Sequence, residues 1–199
     1  MRKKLLLVRH GDTGRPGRYI GKTNVPMSSR GIEQIQALAG LVRTKCPVRI
    51  FSSPMRRCTE TADILSRHVG MDFSLEPEIR EIDFGNWEEM TFEEIRRRYP
   101  DESSLWLRLD PGFCFPGGES LGEFQGRIAG FWERLKAMPE DTFLLATHGG
   151  VIRGLICLLL GLSLSHYPLF QVRPGSLATV EVFDERGILG GLNEGGPQT

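Results

Sequence analysis

Three short apolar runs in this chain each stop at a cluster of polar, chemically capable residues. Leu5 to Val8 runs into Arg9, His10 and Gly11; Val48 to Phe51 runs into Ser52, Ser53 and Pro54; Thr142 to Ala146 runs into Thr147, His148, Gly149 and Gly150. A short apolar run of this kind marks a strand covered on both faces. Helical patterns lie between the runs. Ile32, Ile35, Leu38, Ala39 and Val42 share one face at 3.6-residue spacing, as do Ala62, Leu65 and Val69 within Arg57 to Val69. Ser120 to Glu123 has the form of a capping box, opening a helix whose apolar stripe is Leu121, Phe124, Ile128, Phe131 and Leu135, and Thr91 to Glu94 opens a shorter one. A last helix follows Gly150 through Val151, Leu155, Ile156 and Leu159. This alternation predicts a three-layer α/β fold, with a largely parallel sheet and helices on both faces. In such sheets ligands bind beyond the carboxyl ends of the strands, where all three polar clusters fall.

The remaining segments fit one domain over residues 1–199, without internal repeats. Leu177 to Phe183 alternates like a half-buried strand and Ile188 to Leu192 follows a turn at Glu185 to Gly187, which predicts a hairpin. The tail from Asn193 to Thr199 is expected to fray. Residues 86–118 interrupt the pattern. They carry Trp87, Phe92, Trp106, Phe113 and Phe115, broken by Pro111-Gly112 and Pro116 to Gly118, and are expected to form a lid-like insertion over the strand ends.

Composition removes several classes of function. Lys plus Arg and Asp plus Glu both number 25, so a nucleic-acid partner, which needs a basic excess, is not expected. Cys46, Cys58, Cys114 and Cys157 are far apart with no C-x-x-C pair; they read as reduced thiols, and no metal is expected. The apolar start is too short for an export signal, and Leu155 to Leu164 is too short to span a membrane. A cytoplasmic protein without membrane contact is expected. Neither a Walker A loop nor a dinucleotide fingerprint occurs, which sets kinases and dehydrogenases aside.

The chemistry points to phosphate. His10 and His148 share a setting, each after a buried strand and before a glycine, whereas His68 and His166 have no such context. Arg9 beside His10 is costly to bury without an anionic partner, and a guanidinium matches phosphate oxygens with a bidentate fork. Arg57 opens the helix after Ser52 to Pro54, so its charge and the amides of that helix start could hold one anion together.

Five ordered segments carry a resemblance: LVRHGDT from Leu7, SSPMRRCTETA from Ser52, REIDFGNWE from Arg80, PGGES from Pro116 and THGGVIR from Thr147. Together they resemble the successive signatures of the histidine phosphatase (phosphoglycerate mutase-like) superfamily. The resemblance implies that His10 is the nucleophile, that Arg9, Arg57 and His148 hold the phosphoryl oxygens, and that Glu81 is the proton donor. It places Gly21, Thr23 and Asn24 as further substrate contacts. No cofactor or metal is implied, since two arginines and a second imidazole, preferably protonated, would take the charge that magnesium takes elsewhere. Two departures stand out. The loop Asp12 to Ile20 lacks the asparagine that relatives commonly carry, with Arg15 or Arg18 as its candidate replacements. Trp87-Glu88-Glu89 stands where many relatives have Trp-Glu-Gly, which puts the local turn in question.

Size and the segment Glu81 to Glu88 look most like alpha-ribazole phosphatases and the broad-specificity phosphatases beside them. The expected activity is hydrolysis of a small phosphomonoester, with alpha-ribazole 5′-phosphate as one candidate. A mutase of the phosphoglycerate type is the alternative within the family; Arg96 to Arg98 could serve its second anion, but such a run is usually a solvated face. A non-catalytic phosphate-binding module is the alternative outside enzymes, and it would have no use for Glu81. The partner is then a small molecule, and a homodimer is compatible with the resemblance.

Overall fold

The computed structural model describes residues 2–110 and 112–195. Its strands are β1 (Arg2–Arg9), β2 (Arg49–Ser52), β3 (Phe73–Leu75), β4 (Thr142–Thr147), β5 (Leu177–Phe183) and β6 (Arg186–Glu194), and they form one sheet in the order β3-β2-β4-β1-β5-β6. The first four are mutually parallel, while β5 and β6 add an antiparallel edge to β1. Six α-helices accompany them: α1 (Ser29–Thr44), α2 (Arg56–Val69), α3 (Phe92–Arg98), α4 (Pro100–Arg108), α5 (Leu121–Ala137) and α6 (Gly149–Leu159).

Side chains on a strand alternate between faces, and β1 shows what that does here. Leu6 and Val8 join the core beneath α1 and α2, with Ile35, Leu38, Val42 and Leu65. Leu5 and Leu7 join the opposite core with Phe124, Ile128 and Phe131 of α5 and Leu155 of α6. All four β1 side chains are fully buried, each contributing about 1.5–3 kcal/mol. Because the connection after β1 goes to one face and that after β4 to the other, the crevice between these adjacent strands is the switch point where α/β sheets bind ligands.

Both capping boxes form, at Thr91 and at Ser120. Residues 86–118 are less detached than a lid. Trp87, Ile95, Phe113 and Phe115 are buried in the same core as α5 and α6, and edge-to-face contacts such as Trp87–Phe115 at 5.3 Å tie them together. Two elements have no counterpart in the sequence reading. Strand β3 is three residues long and only partly buried, so it has no periodicity to detect. Helix α4 buries only Ser103 and leaves Leu105 and Leu107 exposed, so it has no apolar stripe. At the C-terminus β6 continues through Glu194, with Asn193 held by Arg173 and Gln171; residues 196–199 of the tail, and Pro111, lie outside the described residues.

Candidate active site

The parallel ladder places the two histidines. The His10 N–H donates to the Thr147 carbonyl at 2.9 Å and the Ser53 N–H to the Ala146 carbonyl at 3.0 Å, carrying the pairing one residue past the strands. His10 and His148 consequently lie with ring centroids 5.2 Å apart, nearly edge to face.

The protons on these rings follow from their partners. Nδ1 of His10 lies 2.8 Å from the Gly11 carbonyl oxygen, which can only accept, so Nδ1 carries the proton and Nε2 keeps its lone pair. Burial, reinforced by Arg57 and Arg9, pushes His10 well below the usual imidazole value. It is therefore neutral at physiological pH. His148 is fully buried; Arg57 Nε donates to its Nδ1 at 3.3 Å, leaving Nε2–H for the Ser53 hydroxyl at 2.8 Å. Burial, then Arg57 and His10, pushes it down as well. This ring differs from the protonated imidazole expected for charge stabilisation, because an enclosed cation facing two arginines without an anion is unfavourable.

Arg9 and Arg57 are both desolvated, but they are used differently. Arg9 lines a cavity of about 370 Å³ together with His10 and Glu81. One of its Nη atoms donates to the Val172 carbonyl at 2.6 Å, while Nε is buried without a partner among the described residues. Burial lowers its pKa, and the Glu81 carboxylate opposes that shift. Arg57 is completely buried behind the cavity. It donates to the carbonyls of Thr23 at 2.9 Å and Gly21 at 2.8 Å, so its fork braces a loop while its charge acts on both imidazoles.

Glu81 comes to the cavity through two supports. Its carboxylate accepts from the Gly150 N–H at 3.0 Å, in the first turn of α6, where the helix dipole favours negative charge. A Cβ at Gly150 would lie 2.2 Å from Oε1 of Glu81, so glycine is what lets the carboxylate approach. From behind, Arg127 donates to the carbonyls of Glu78, Arg80 and Glu81 at 2.6, 2.7 and 3.2 Å, and pairs bidentately with the buried Glu119 at 2.6 and 2.9 Å. Sequence reasoning missed this pair: Glu119 lies in the PGGES segment, and Arg127, eight residues on, belongs to no motif. Of the neighbouring carboxylates, Asp83 turns to Lys22 and to the Gly85 amide.

Gly21, Thr23 and Asn24 do not line the cavity. Glu88 gathers the amides of Gly21, Lys22 and Thr23 at 2.9–3.2 Å and the Thr23 hydroxyl at 2.5 Å. Asn24 accepts from the Arg56 amide at 2.7 Å and so caps α2, and no α2 residue reaches the cavity. The turn put in question by the sequence is formed with Glu89 at φ +63°, the conformation glycine would favour. Glu89 pairs there with Arg15, and Arg18 pairs with Glu94 at 3.4 Å; both arginines lie on the cavity rim. Arg96 to Arg98 are exposed on α3, away from the cavity; His68, exposed, and His166, half-buried, also lie away from it. Tyr19, Trp106 and Tyr167 form the aromatic wall. Among the described residues no helix is long and apolar enough to cross a membrane, and no three His, Cys, Asp or Glu side chains gather as metal ligands.

The family model for the histidine phosphatase superfamily (branch 1) matches residues 5–195. Phosphoserine phosphatase 1 of Hydrogenobacter thermophilus is 31% identical over 193 residues, covering 96% of this chain and 92% of the relative. Glucosyl-3-phosphoglycerate phosphatase of Mycolicibacterium vanbaalenii is 30% identical over 177 residues, covering 84% and 78%. Among solved structures, the alpha-ribazole phosphatase of Shigella flexneri superimposes with a TM-score of 0.86 at 26% identity, covering 98% of both chains. A model match over nearly the whole chain, on a fold that unites both histidines at one crevice, shows that this chain belongs to the histidine phosphatase superfamily and is a phosphomonoester hydrolase.

Proposed function

We propose that the chain hydrolyses a small phosphomonoester through a phosphohistidine on His10. The observation that carries this reading is the Nδ1–H bond from His10 to the Gly11 carbonyl, which leaves the Nε2 lone pair on a ring held neutral in the cavity. That lone pair attacks phosphorus as the ester P–O bond breaks, and Glu81 gives its proton to the leaving alkoxide. Glu81, now a carboxylate, takes a proton from the water that attacks the N–P bond, and the electron pair returns to His10. Arg9 meets the phosphoryl oxygens directly, its unpartnered Nε supplying a donor, while Arg57 supplies charge behind it and is held there in part by His148. These side chains take up the oxygens' charge without a metal. Turnover is accordingly expected to survive exhaustive EDTA treatment.

The relatives bear names with chemically different leaving groups, so substrate identity is a separate matter. Alpha-ribazole 5′-phosphate is one arm of the test; phosphoserine and 3-phosphoglycerate are the others. Rapid quench with a labelled ester is expected to trap acid-labile, base-stable phosphate on the protein, and none on a folded His10→Ala variant. Substantial turnover by that variant would overturn the assignment.

A further inference from the structure

Arg153 enters the cavity with no carboxylate of its own. It lies on α6 one turn beyond Glu81's anchor at Gly150, partly buried, and lines the same cavity as Arg9 and His10. Its Nε donates to the Phe170 carbonyl at 2.8 Å, and its guanidinium carbon stands 5.3 Å from the centroid of the Tyr167 ring. These contacts fix the plane of the fork without neutralising it. The other rim arginines are already matched, Arg15 by Glu89 and Arg18 by Glu94. Among the described residues no ion pair involves Arg153.

The charge count of the loaded site then has a remainder. A phosphoryl dianion is matched by Arg9 and, behind it, Arg57. Glu81 is tied to the Gly150 amide at 3.0 Å and makes no ion pair with Arg153, so it is not that residue's partner. One half-buried cation is left, oriented by its contacts, in the same cavity as His10 and Glu81. A half-buried guanidinium held in one orientation is ready to take an anion against it. We propose that Arg153 is a specificity-determining residue that binds a carboxylate on the leaving group, and that the substrate class is the phosphate ester of a small hydroxy acid or hydroxyamino acid. The planar fork suits a carboxylate bidentately. A cavity near 370 Å³ lies toward the small end of ligand pockets, in keeping with such an ester. This inference rests on the phosphatase reading of the same site.

The test uses ester pairs of which one member has the carboxylate and the other lacks it: phosphoserine against phosphoethanolamine, and 2-phosphoglycerate against glycerol 2-phosphate, in which a hydroxymethyl group replaces the carboxylate. The wild-type kcat/KM is expected to favour the acid by about 10- to 100-fold, as for a charge-assisted hydrogen bond, and Arg153→Gln to bring that ratio close to unity, chiefly through KM. Arg153→Lys should restore part of the ratio. A wild-type ratio near unity would overturn the proposal, and so would equal slowing of both members of a pair by Arg153→Gln, which would make the residue a tie between α6 and Phe170. The wild-type ratio decides the matter even if the variants fail to fold. Should no ester be turned over, the phosphatase reading itself falls; the thermal upshift given by phosphoserine compared with phosphoethanolamine still decides the subsite, supporting it if larger and refuting it if equal.

Discussion

Acid should weaken this fold already below pH 6.5, because two imidazoles are enclosed without charge. His10 and His148 both lie well below the ordinary value of 6.5 in the folded chain, through burial first and neighbouring cations second. Once unfolded they regain that ordinary value. Below pH 6.5 the unfolded chain therefore binds protons that the folded chain excludes, so stability is greatest above 6.5 and falls as pH falls. Relative to pH 8, each ring costs at most about 1.4 kcal/mol at pH 5.5, the limit set by the unfolded value, or at most about 2.8 kcal/mol for the two. In a chain of 199 residues that corresponds to a drop in Tm of roughly 6–11 °C. Carboxylates with lowered values, such as Glu194, lose their contribution only below this window. Urea unfolding followed by tryptophan fluorescence at pH 8, 7, 6 and 5.5 measures the slope directly. His148→Gln keeps an amide for the Ser53 hydroxyl and removes one titrating ring, so it should remove about half of the loss. Equal pH dependence in wild type and variant, or none in either, would refute the reasoning.

Three further outcomes follow from particular contacts. Gly150→Ala should leave the fold intact yet lower kcat by about 10²-fold or more, since the new methyl displaces the Glu81 carboxylate; circular dichroism with steady-state kinetics checks both halves, and an unchanged kcat would count against Glu81 as proton donor. Arg127→Met should cost about 3–5 kcal/mol in chemical denaturation by stranding Glu119, and the double variant with Glu119→Leu should recover much of it. At Glu89, where φ is +63°, glycine should be more stable than alanine by about 1 kcal/mol, the reverse of their order in a helix; a thermal melt showing alanine ahead would contradict the turn geometry.

What the sequence made visible was what repeats or what caps. Leu5 to Val8 announces a doubly covered strand, and both capping boxes form where the spacing of Thr91 and Glu94 or of Ser120 and Glu123 places them. The pairing of His10 with His148 was legible because both strands lie parallel and adjacent, so equal positions after each strand become neighbours in space. Features that depend on one contact across the fold left no periodic trace. Helix α4 has its leucines turned outward, β3 is too short for alternation, and Arg127 meets Glu119 only after α5 has docked. The direction of Arg57 was equally hidden: its motif says that it belongs to the site, but only the path of residues 20–23 shows that its fork grips carbonyls.

The Glu88 carboxylate gives those residues a property that a loop seldom has. Gly21, Lys22 and Thr23 belong to no helix or strand, yet their three amides point at one anion, and that anion is itself held by the chain at Phe84. Solvent can exchange these amide hydrogens only when the carboxylate lets go, which also removes the carbonyl platform beneath Arg57. Their deuterium uptake should therefore be slow and nearly simultaneous, tracking an opening of the whole site, and trypsin should spare the exposed Lys22 for as long as the imidazoles stay in place.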